Sequence, residues 1–333
     1  MSVLSIADLH VDYRRRGRPT VQAVAGVSLS VEKGQILGLV GESGCGKSTL
    51  ARAAVGLVAP SAGTVEFDGS PTTRLSRGTR PAHLLGLQMV FQNPYASLNP
   101  RRRVGAQIAD GVGARSRTKV RADDPRVAAV LELVGLPTSA AGRYPHEFSG
   151  GQRQRLAIAR VLAAEPSAVV LDEPLSSLDA SAQAQIASLL VELKDKLSLA
   201  ILLISHDLSV VRQVADVLAV MYLGRVVEVG PTEQIWSDPR HPYTQALIGA
   251  VPQPDGLGTL PTALPGEVPD PARPPSGCRF HPRCPEAIAR CSVEQPDLTV
   301  LVPSGRKLGT SIDTPIGTAR SAACWLRIDT EAR

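Results

Sequence analysis

The sequence predicts an α/β fold whose functional site lies along one edge of a parallel sheet. Three short apolar runs, at residues 36–40, 168–171 and 200–204, have the length and composition of strands that are buried on both faces. Each run ends in polar residues: a glycine-rich loop follows the first, an Asp-Glu pair the second and a Ser-His pair the third. Because ligands of open α/β sheets bind beyond the carboxyl ends of the strands, these polar residues are expected to meet in one site.

The remaining chain divides into regions of different periodicity and composition. Alternating apolar residues before the first buried run predict strands of an antiparallel β subdomain. A mainly helical pattern at about 94–164 predicts an inserted α-helical subdomain. Prolines cluster between Pro252 and Pro285, which indicates a small Pro/Cys-rich extension at 236–333. The main domain is therefore expected at 1–235.

The composition excludes several classes of protein. Hydrophobic residues make up 43% of the chain and aromatic residues 3%, so the core is expected to consist of aliphatic side chains rather than rings. Few aromatic residues and a net charge of only +5 argue against a nucleic-acid partner. No apolar stretch approaches the roughly 18 residues that a membrane crossing needs, and the N-terminus lacks the pattern of a secretory signal. We therefore expect cytoplasmic residence.

A phosphate-binding loop is predicted where the first buried run gives way to a helix. The pattern G-x-x-x-x-G-K-[ST] is fulfilled by Gly41, Glu42, Ser43, Gly44, Cys45, Gly46, Lys47 and Ser48, followed by Thr49. Its glycines let successive backbone N–H groups face a phosphate, and the helix start adds a positive dipole. Lys47 is expected to reach the β- and γ-phosphates, and Ser48 to bind Mg²⁺. The alternative is a chance glycine turn. Cys45, which faces the loop, is expected to be a small filler.

The acidic pair after the second run completes such a site. Mg²⁺ needs a carboxylate from outside the loop, and Asp172 is placed to supply it. Glu173 is then free to polarise the attacking water, which makes a nucleotide-binding protein a hydrolase. A solvated strand end is the alternative interpretation of the pair.

The most specific motif is Phe148-Ser149-Gly150-Gly151-Gln152. Alone, its last four residues could be an ordinary helix cap. Together with the phosphate loop and the acidic pair, it resembles the signature of the ABC transporter ATPases, P-loop NTPases with a RecA-like core, although Phe148 stands where Leu is commoner. The resemblance covers nearly the whole chain. It implies that Ser149 and the backbone of Gly150 and Gly151 bind the γ-phosphate held by an opposite subunit, so that hydrolysis needs two subunits packed head to tail. Gln152 is expected to belong to the same nucleotide-binding set.

Four further residues stand in the order of this family. By resemblance, Gln92 touches metal and water, Asp179 communicates across the dimer, and His206 holds the γ-phosphate. Tyr13 lies near the end of the first predicted strand, where family members stack an aromatic ring on adenine. Taken singly, each has an ordinary alternative, such as a local hydrogen bond or an edge tyrosine.

Within the family, residues 41–52, 90–100 and 240–244 resemble the importers of oligopeptides and dipeptides, and in particular their second, F-type ATPase. The resemblance implies a different ATPase chain as partner, two membrane permease subunits, an extracytoplasmic solute-binding protein, and a place at the cytoplasmic face of the membrane. It implies ATP and Mg²⁺ as ligands. An exporter ATPase, or a soluble ABC-type ATPase acting on nucleic acid or ribosomes, is the alternative.

Four cysteines lie in the extension with the spacing C-x5-C-x6-C-x32-C: Cys278, Cys284, Cys291 and Cys324. Disulfides are not expected in a cytosolic protein, and structural zinc usually uses closer pairs. Importers of the resembled type can carry a four-iron four-sulfur (4Fe-4S) cluster on a similar set, and thiolates suit it. Zinc, or plain burial of the thiols, remains the alternative.

Overall fold

The computed structural model describes residues 2–14, 17, 19–75, 80–93, 97–116, 118–252, 266–301 and 319–331. Strands β1 to β12 are, in chain order, Ser2–Tyr13, Val21–Glu32, Ile36–Val40, Ala62–Phe67, Ser70–Pro71, Leu87–Val90, Ala168–Asp172, Ala200–Ile204, Val217–Tyr222, Arg225–Pro231, Thr299–Val300 and Ser321–Ala322. Helices α1 to α9 are Lys47–Ala54, Val104–Ser116, Pro125–Leu133, Gly150–Leu162, Ala180–Leu197, Leu208–Val214, Thr232–Ser237, Pro242–Gly249 and Trp325–Glu331. Short 3-10 turns lie at Ala82–Gly86, Thr138–Gly142, Pro145–Glu147, His281–Arg283 and Ala289–Ser292.

The larger sheet has, within these residues, the strand order β11-β12-β10-β9-β3-β8-β7-β6. Strand β3 pairs in parallel with β8 and β9, and β7 pairs in parallel with β6 and β8. The parallel sheet predicted from the runs that become β3, β7 and β8 is confirmed, and β6 and β9 belong to it as well. Strands β10, β12 and β11 extend it in antiparallel pairing, which the sequence did not predict. The carboxyl ends of β3, β6, β7 and β8 therefore lie at one edge.

Both faces of this sheet are buried, which explains why its strands are apolar throughout. On β7, Val169 and Leu171 join the core cluster on one face, whereas Val170 joins the cluster on the other. On β8, Ile201 and Leu202 divide in the same way. Successive side chains of a strand point to opposite faces, so a strand covered on both sides has no position for a polar residue until it ends.

The smaller sheet has the order β2-β1-β4-β5, and its pairs are antiparallel. This confirms the predicted antiparallel β subdomain. Strand β1 ends at Tyr13 and β2 begins at Val21. This connected end of the hairpin lies beside the phosphate loop, where a Cβ on Gly46 would lie 2.0 Å from the carbonyl oxygen of Ala23.

Helices α2 to α4 follow the edge strand β6 in the chain. Helix α3 starts at an Asp124 cap that accepts a hydrogen bond from the Arg126 N–H, and α4 starts at a reciprocal cap formed by Ser149 and Gln152. Both helices lie in the stretch at about 94–164 for which the sequence predicts a mainly helical pattern. None of the helices in the described ranges combines the length and apolar character that crossing a bilayer requires.

An aromatic cluster joins the extension to the large sheet. Tyr222 at the end of β9, Tyr243 of α8 and Phe280 of the extension are at most 1% exposed. Their ring centroids lie 4.6 to 5.3 Å apart, and such pairs add about 0.5–1.5 kcal/mol beyond their buried area. The expectation of a core without rings is wrong at this junction, where three of the chain's eleven Phe, Trp and Tyr residues pack against one another.

Candidate nucleotide site

The phosphate loop connects β3 to α1, as the sequence predicts. Gly46 precedes the helix with φ 110°, and Gly41 has φ 151°. A Cβ on Gly41 would lie 2.1 Å from the carbonyl oxygen of Met221, so the neighbouring β9 leaves no room for a side chain. Glycine is therefore required at both ends of the loop by conformation and by close backbone approach.

Lys47 is enclosed by the loop. Its side chain is buried, and Nζ donates to the carbonyl oxygens of Gly41 at 2.7 Å and Glu42 at 2.9 Å. Nζ also lies 3.7 Å from Sγ of Cys45. Burial raises the pKa of the Cys45 thiol, which keeps it neutral and supports its interpretation as a filler. The ammonium is thus held inside the loop, where it can exchange carbonyl contacts for phosphate oxygens.

Ser48 and Asp172 form the second part of the site. The Ser48 hydroxyl donates to Oδ1 of Asp172 at 2.8 Å, although the two residues are 124 positions apart. Asp172 is 1% exposed, and burial raises its pKa while the Ser48 hydrogen bond opposes that shift. A buried carboxylate beside a hydroxyl offers the oxygen ligands that Mg²⁺ prefers, and a cation there would offset its desolvation.

Glu173 is the centre of a third group. Its backbone has φ 47°, a left-handed conformation that costs a non-glycine residue about 1–3 kcal/mol and is concentrated at functional sites. Its Oε2 accepts a hydrogen bond from Nε2 of Gln92 at 2.9 Å and lies 3.3 Å from Nδ1 of His206. Three neighbouring strand ends, those of β6, β7 and β8, thus bring these side chains to one carboxylate oxygen.

A cavity of about 620 Å³ collects most of the predicted residues. Its lining includes Tyr13, Ser43, Gly44, Cys45, Gly46, Lys47, Ser48, Thr49, Gln92, Glu173 and His206. Tyr13 is 41% exposed, and its hydroxyl lies 3.5 Å from Oγ1 of Thr49. An exposed ring at the mouth agrees with the predicted stacking position. Gly41, Glu42 and Asp172 lie behind the lining.

The cavity also has walls that the sequence analysis missed: Val21, Gln22, Ala23, Leu223, Gly224 and Pro271. They come from β2, from the turn between β9 and β10, and from the extension. None of them belongs to a sequence motif. They line the cavity only because the fold brings three distant parts of the chain together. Pro271 is the notable member, since it belongs to the C-terminal extension.

The signature residues lie elsewhere. Ser149 caps α4 by accepting from the Gln152 N–H at 3.3 Å, while Oε1 of Gln152 accepts from the Ser149 N–H at 3.1 Å. Asp179 caps α5 by accepting from the Ala182 N–H at 2.9 Å. Cβ atoms on Gly150 and Gly151 would meet Leu178 and Ala182, so the two helix starts are adjacent. These residues are not among those that line the cavity of their own chain.

The four cysteines of the extension line one small cavity together with His281, Phe280 and Trp325. All are free thiols, and burial raises the pKa of Cys278, Cys324 and, to about 11, Cys284. Within the described ranges, however, no group of three or more His, Cys, Asp or Glu side chains is placed to hold a metal ion. The fold thus brings the four thiols to one cavity, but not into positions that would already hold an iron-sulfur cluster or zinc.

Lys47 inside its glycine loop, with Ser48 on Asp172 behind it, gives the geometry of a P-loop nucleoside triphosphatase. The sequence matches the family described as ABC transporter over residues 24–176. It also matches the C-terminal region of oligopeptide/dipeptide transporters over residues 227–291.

Similar proteins span almost the same length. A probable peptide ABC transporter ATP-binding protein of Sinorhizobium fredii is 47% identical over 302 residues, 90% of this chain and 85% of that protein. The oligopeptide transport ATP-binding protein AppF of Bacillus subtilis is 46% identical over 288 residues, 85% of this chain and 88% of that protein. This chain therefore belongs to the ABC transporter ATP-binding protein family, and it is an ABC-type ATPase.

Solved structures agree with this fold. The dimeric post-hydrolysis state of the ATP-binding cassette MJ0796 bound to ADP and Pi is 25% identical with a TM-score of 0.62, covering 69% of this chain and 98% of that one. The cassette cbiO1 from Clostridium perfringens, part of the ABC transporter complex cbiONQ, is 28% identical with a TM-score of 0.60, covering 71% of this chain and 91% of that one.

Proposed function

We propose that this chain binds MgATP in the cavity described above and hydrolyses it to energise an importer of dipeptides, oligopeptides or related small solutes. The observation that carries the hydrolytic part is the meeting of Gln92 and His206 on one oxygen of Glu173, directly after the Ser48–Asp172 pair. The importer part is supported by the match of residues 227–291 to the oligopeptide/dipeptide transporter C-terminal region and by the names of the relatives.

Each group has a role in this proposal. The loop from Gly41 to Thr49 holds the phosphates, and Tyr13 stacks on the adenine ring. Ser48, Gln92 and Asp172 would hold Mg²⁺, which neutralises the phosphate oxygens when bound. Glu173 polarises the attacking water, and His206 holds the γ-phosphate.

A second ATPase subunit would complete each site. Ser149, Gln152 and Asp179 are exposed, and hydrogen bonds of the helix caps fix the positions of their side chains. An exposed and ordered helix start suits the γ-phosphate of a nucleotide bound to another chain. We propose a head-to-tail dimer with a different ATPase chain, and the dimeric cassette bound to ADP and Pi is a relevant likeness.

A groove of about 720 Å³ suits a permease loop at the cytoplasmic face of the membrane. It lies between β6 and helices α2 and α4, and its lining includes Arg80, Gln88, Arg102 and Arg160. Strand β6 leads directly to Gln92, so movement of the groove would reach the nucleotide site.

We place the boundary of the ATPase domain near residue 235 and its helical subdomain at about 94–164. We also assign a solute-binding protein to the full complex.

We also propose that the four extension cysteines bind a 4Fe-4S cluster, with zinc as the alternative. The support is their convergence on one cavity and the suitability of thiolates as ligands. Anaerobic purification followed by iron, sulfide and zinc analysis tests this. Four-iron stoichiometry lost in Cys284→Ser supports the cluster, whereas protein that contains neither iron nor zinc would refute any metal.

The hydrolytic proposal is tested with Glu173→Gln in the assembled transporter. We expect MgATP to remain bound and the ATPase dimer to persist, while turnover falls by at least about a hundredfold because the attacking water loses its base. Glu192→Gln is the matched control, since Glu192 is an exposed glutamate paired with Lys196 on α5. Turnover within twofold of wild type in the Glu173 variant would contradict the assigned role.

The importer proposal is tested by purifying the tagged chain from solubilised membranes and by measuring ATP turnover in the reconstituted complex. We expect two permease subunits and a different ATPase chain to co-purify, and peptides delivered by a binding protein to raise turnover. Purification of the chain without permeases would contradict the transport assignment.

A further inference from the structure

Glu42, the second residue of the phosphate loop, has each of its polar groups held in place. Its carbonyl oxygen accepts from Nζ of Lys47 at 2.9 Å. Its N–H donates to the hydroxyl of Tyr243 at 2.9 Å, and its carboxylate accepts two hydrogen bonds from Arg283, at 2.7 and 3.1 Å. Two of these three anchors lie beyond residue 235, so the C-terminal part of the chain fixes a loop near its beginning.

Arg283 is built into this position. Its side chain is 3% exposed, and it sits in the turn His281–Arg283 beside the aromatic cluster. Its guanidinium also donates to the hydroxyl of Tyr222 at 3.3 Å, and lies 5.9 Å from the Phe280 ring centroid. A guanidinium that donates two parallel hydrogen bonds to a carboxylate fixes both the distance and the orientation of that carboxylate. A lysine ammonium does not fix the orientation.

The extension touches the nucleotide cavity at two further points. Arg279 donates to Oε1 of Gln22 at 2.9 Å and to the carbonyl oxygen of Leu223, and both of these partners line the cavity. Pro271 lines the cavity itself. Arg283 therefore contacts the phosphate loop, and Arg279 contacts the neighbouring wall of the site.

We infer that Arg283 is a positioning residue for the phosphate loop, through which the C-terminal extension sets the affinity of the nucleotide site. The inference rests on the proposed nucleotide site. A loop that is already held in its binding conformation loses less conformational entropy when a phosphate arrives, so anchoring Glu42 favours binding without touching the nucleotide. Arg283 acts through Glu42 and not on the reacting atoms.

The test compares the affinities of full-length variants for a fluorescent ATP analogue with Mg²⁺. Arg283→Gln is expected to bind about tenfold more weakly, which corresponds to about 1.4 kcal/mol, and Arg283→Lys to fall between it and wild type. Arg273→Gln is the matched control: it removes the same charge from an exposed position of the same extension, and its affinity should equal that of wild type. In the assembled transporter, KM for ATP should rise more than kcat falls.

The same substitution in a Glu42→Gln background separates positioning from general damage. If Arg283 acts through Glu42, adding Arg283→Gln to the Glu42→Gln variant changes its affinity for the ATP analogue less than twofold. A tenfold loss in both backgrounds would overturn the inference, because it would show damage that does not pass through Glu42.

The remaining outcomes are equally decisive. Wild type that fails to bind the analogue contradicts the proposed nucleotide site, whereas wild type that binds and Arg283→Gln that binds equally well contradicts the inference alone. Should Arg283→Gln fail to fold, Arg283→Lys decides: affinity equal to wild type, with the bidentate geometry lost, would overturn the positioning role.

Discussion

Gly38 in the centre of β3 offers a quantitative test of the packing that places the catalytic edge. A Cβ at this position would lie 2.3 Å from Cγ1 of Val211 on helix α6 and 3.1 Å from Cβ of Ala215, the residue that follows the helix. Carbon atoms pack at about 3.5–4.0 Å, so Gly38→Ala forces α6 away from the sheet by about 1 Å. Overpacking of this kind costs about 1–3 kcal/mol, which lowers Tm by about 2–12 °C.

Helix α6 begins at Leu208, two residues after His206, so the displacement has a functional consequence as well. Moving the helix start shifts the His206 ring relative to Oε2 of Glu173, and ATP turnover of the assembled complex should fall along with Tm. Thermal unfolding followed by circular dichroism measures the first effect. Gly249→Ala is the control, because a Cβ there meets no atom within 4 Å, and its Tm should be unchanged or slightly higher.

A second substitution makes the reasoning refutable. Val211→Ala removes the clashing methyl group and by itself costs about 1–3 kcal/mol as lost burial and cavity. With Gly38→Ala, the two changes should compensate, so that the double variant is at least about 1 kcal/mol more stable than the sum of the single losses predicts. Strict additivity would show that the clash with Val211 is not the cause.

Three further predictions concern the site and the junction with the extension. Asp172→Asn should abolish Mg²⁺-dependent hydrolysis while leaving Tm equal or higher, because it removes a desolvated carboxylate; a large loss of Tm would contradict this. Tyr13→Ala should weaken ATP binding by about 1–3 kcal/mol of lost stacking, and Tyr13→Phe should not, as fluorescence titration of both variants would show. The pKa of His241 is lowered to about 3, from 6.5, by burial and by Arg327. As pH falls below 6.5, His241 is protonated in the unfolded chain but stays neutral in the folded chain. The free energy of unfolding should therefore drop by up to about 1.4 kcal/mol per pH unit. Urea unfolding at pH 7 and 5 should show this in wild type and much less in His241→Asn, which keeps a capping acceptor.

Much of the site was predictable because its elements are local. The glycine pattern around Lys47, the apolar runs that become β3, β7 and β8, and the polar residues at their ends each lie within a few consecutive positions. Once these strands lie parallel in one sheet, their carboxyl ends bring Ser48 close to Asp172 and Glu173 close to His206. The order of these strands was less accessible, and the antiparallel strands at the far edge of the sheet were missed.

The class of the fold and the chemistry of the phosphate loop follow from the sequence alone, because backbone conformation and strand burial depend on residues that are adjacent in the chain. Tertiary structure alone decided that Arg283 holds Glu42, 241 positions away, and that Pro271 forms part of the cavity wall. It also decided that a chain poor in rings gathers Tyr222, Tyr243 and Phe280 at one junction. Such contacts have no local sequence pattern. They form because burial of the core brings distant segments of the chain into contact.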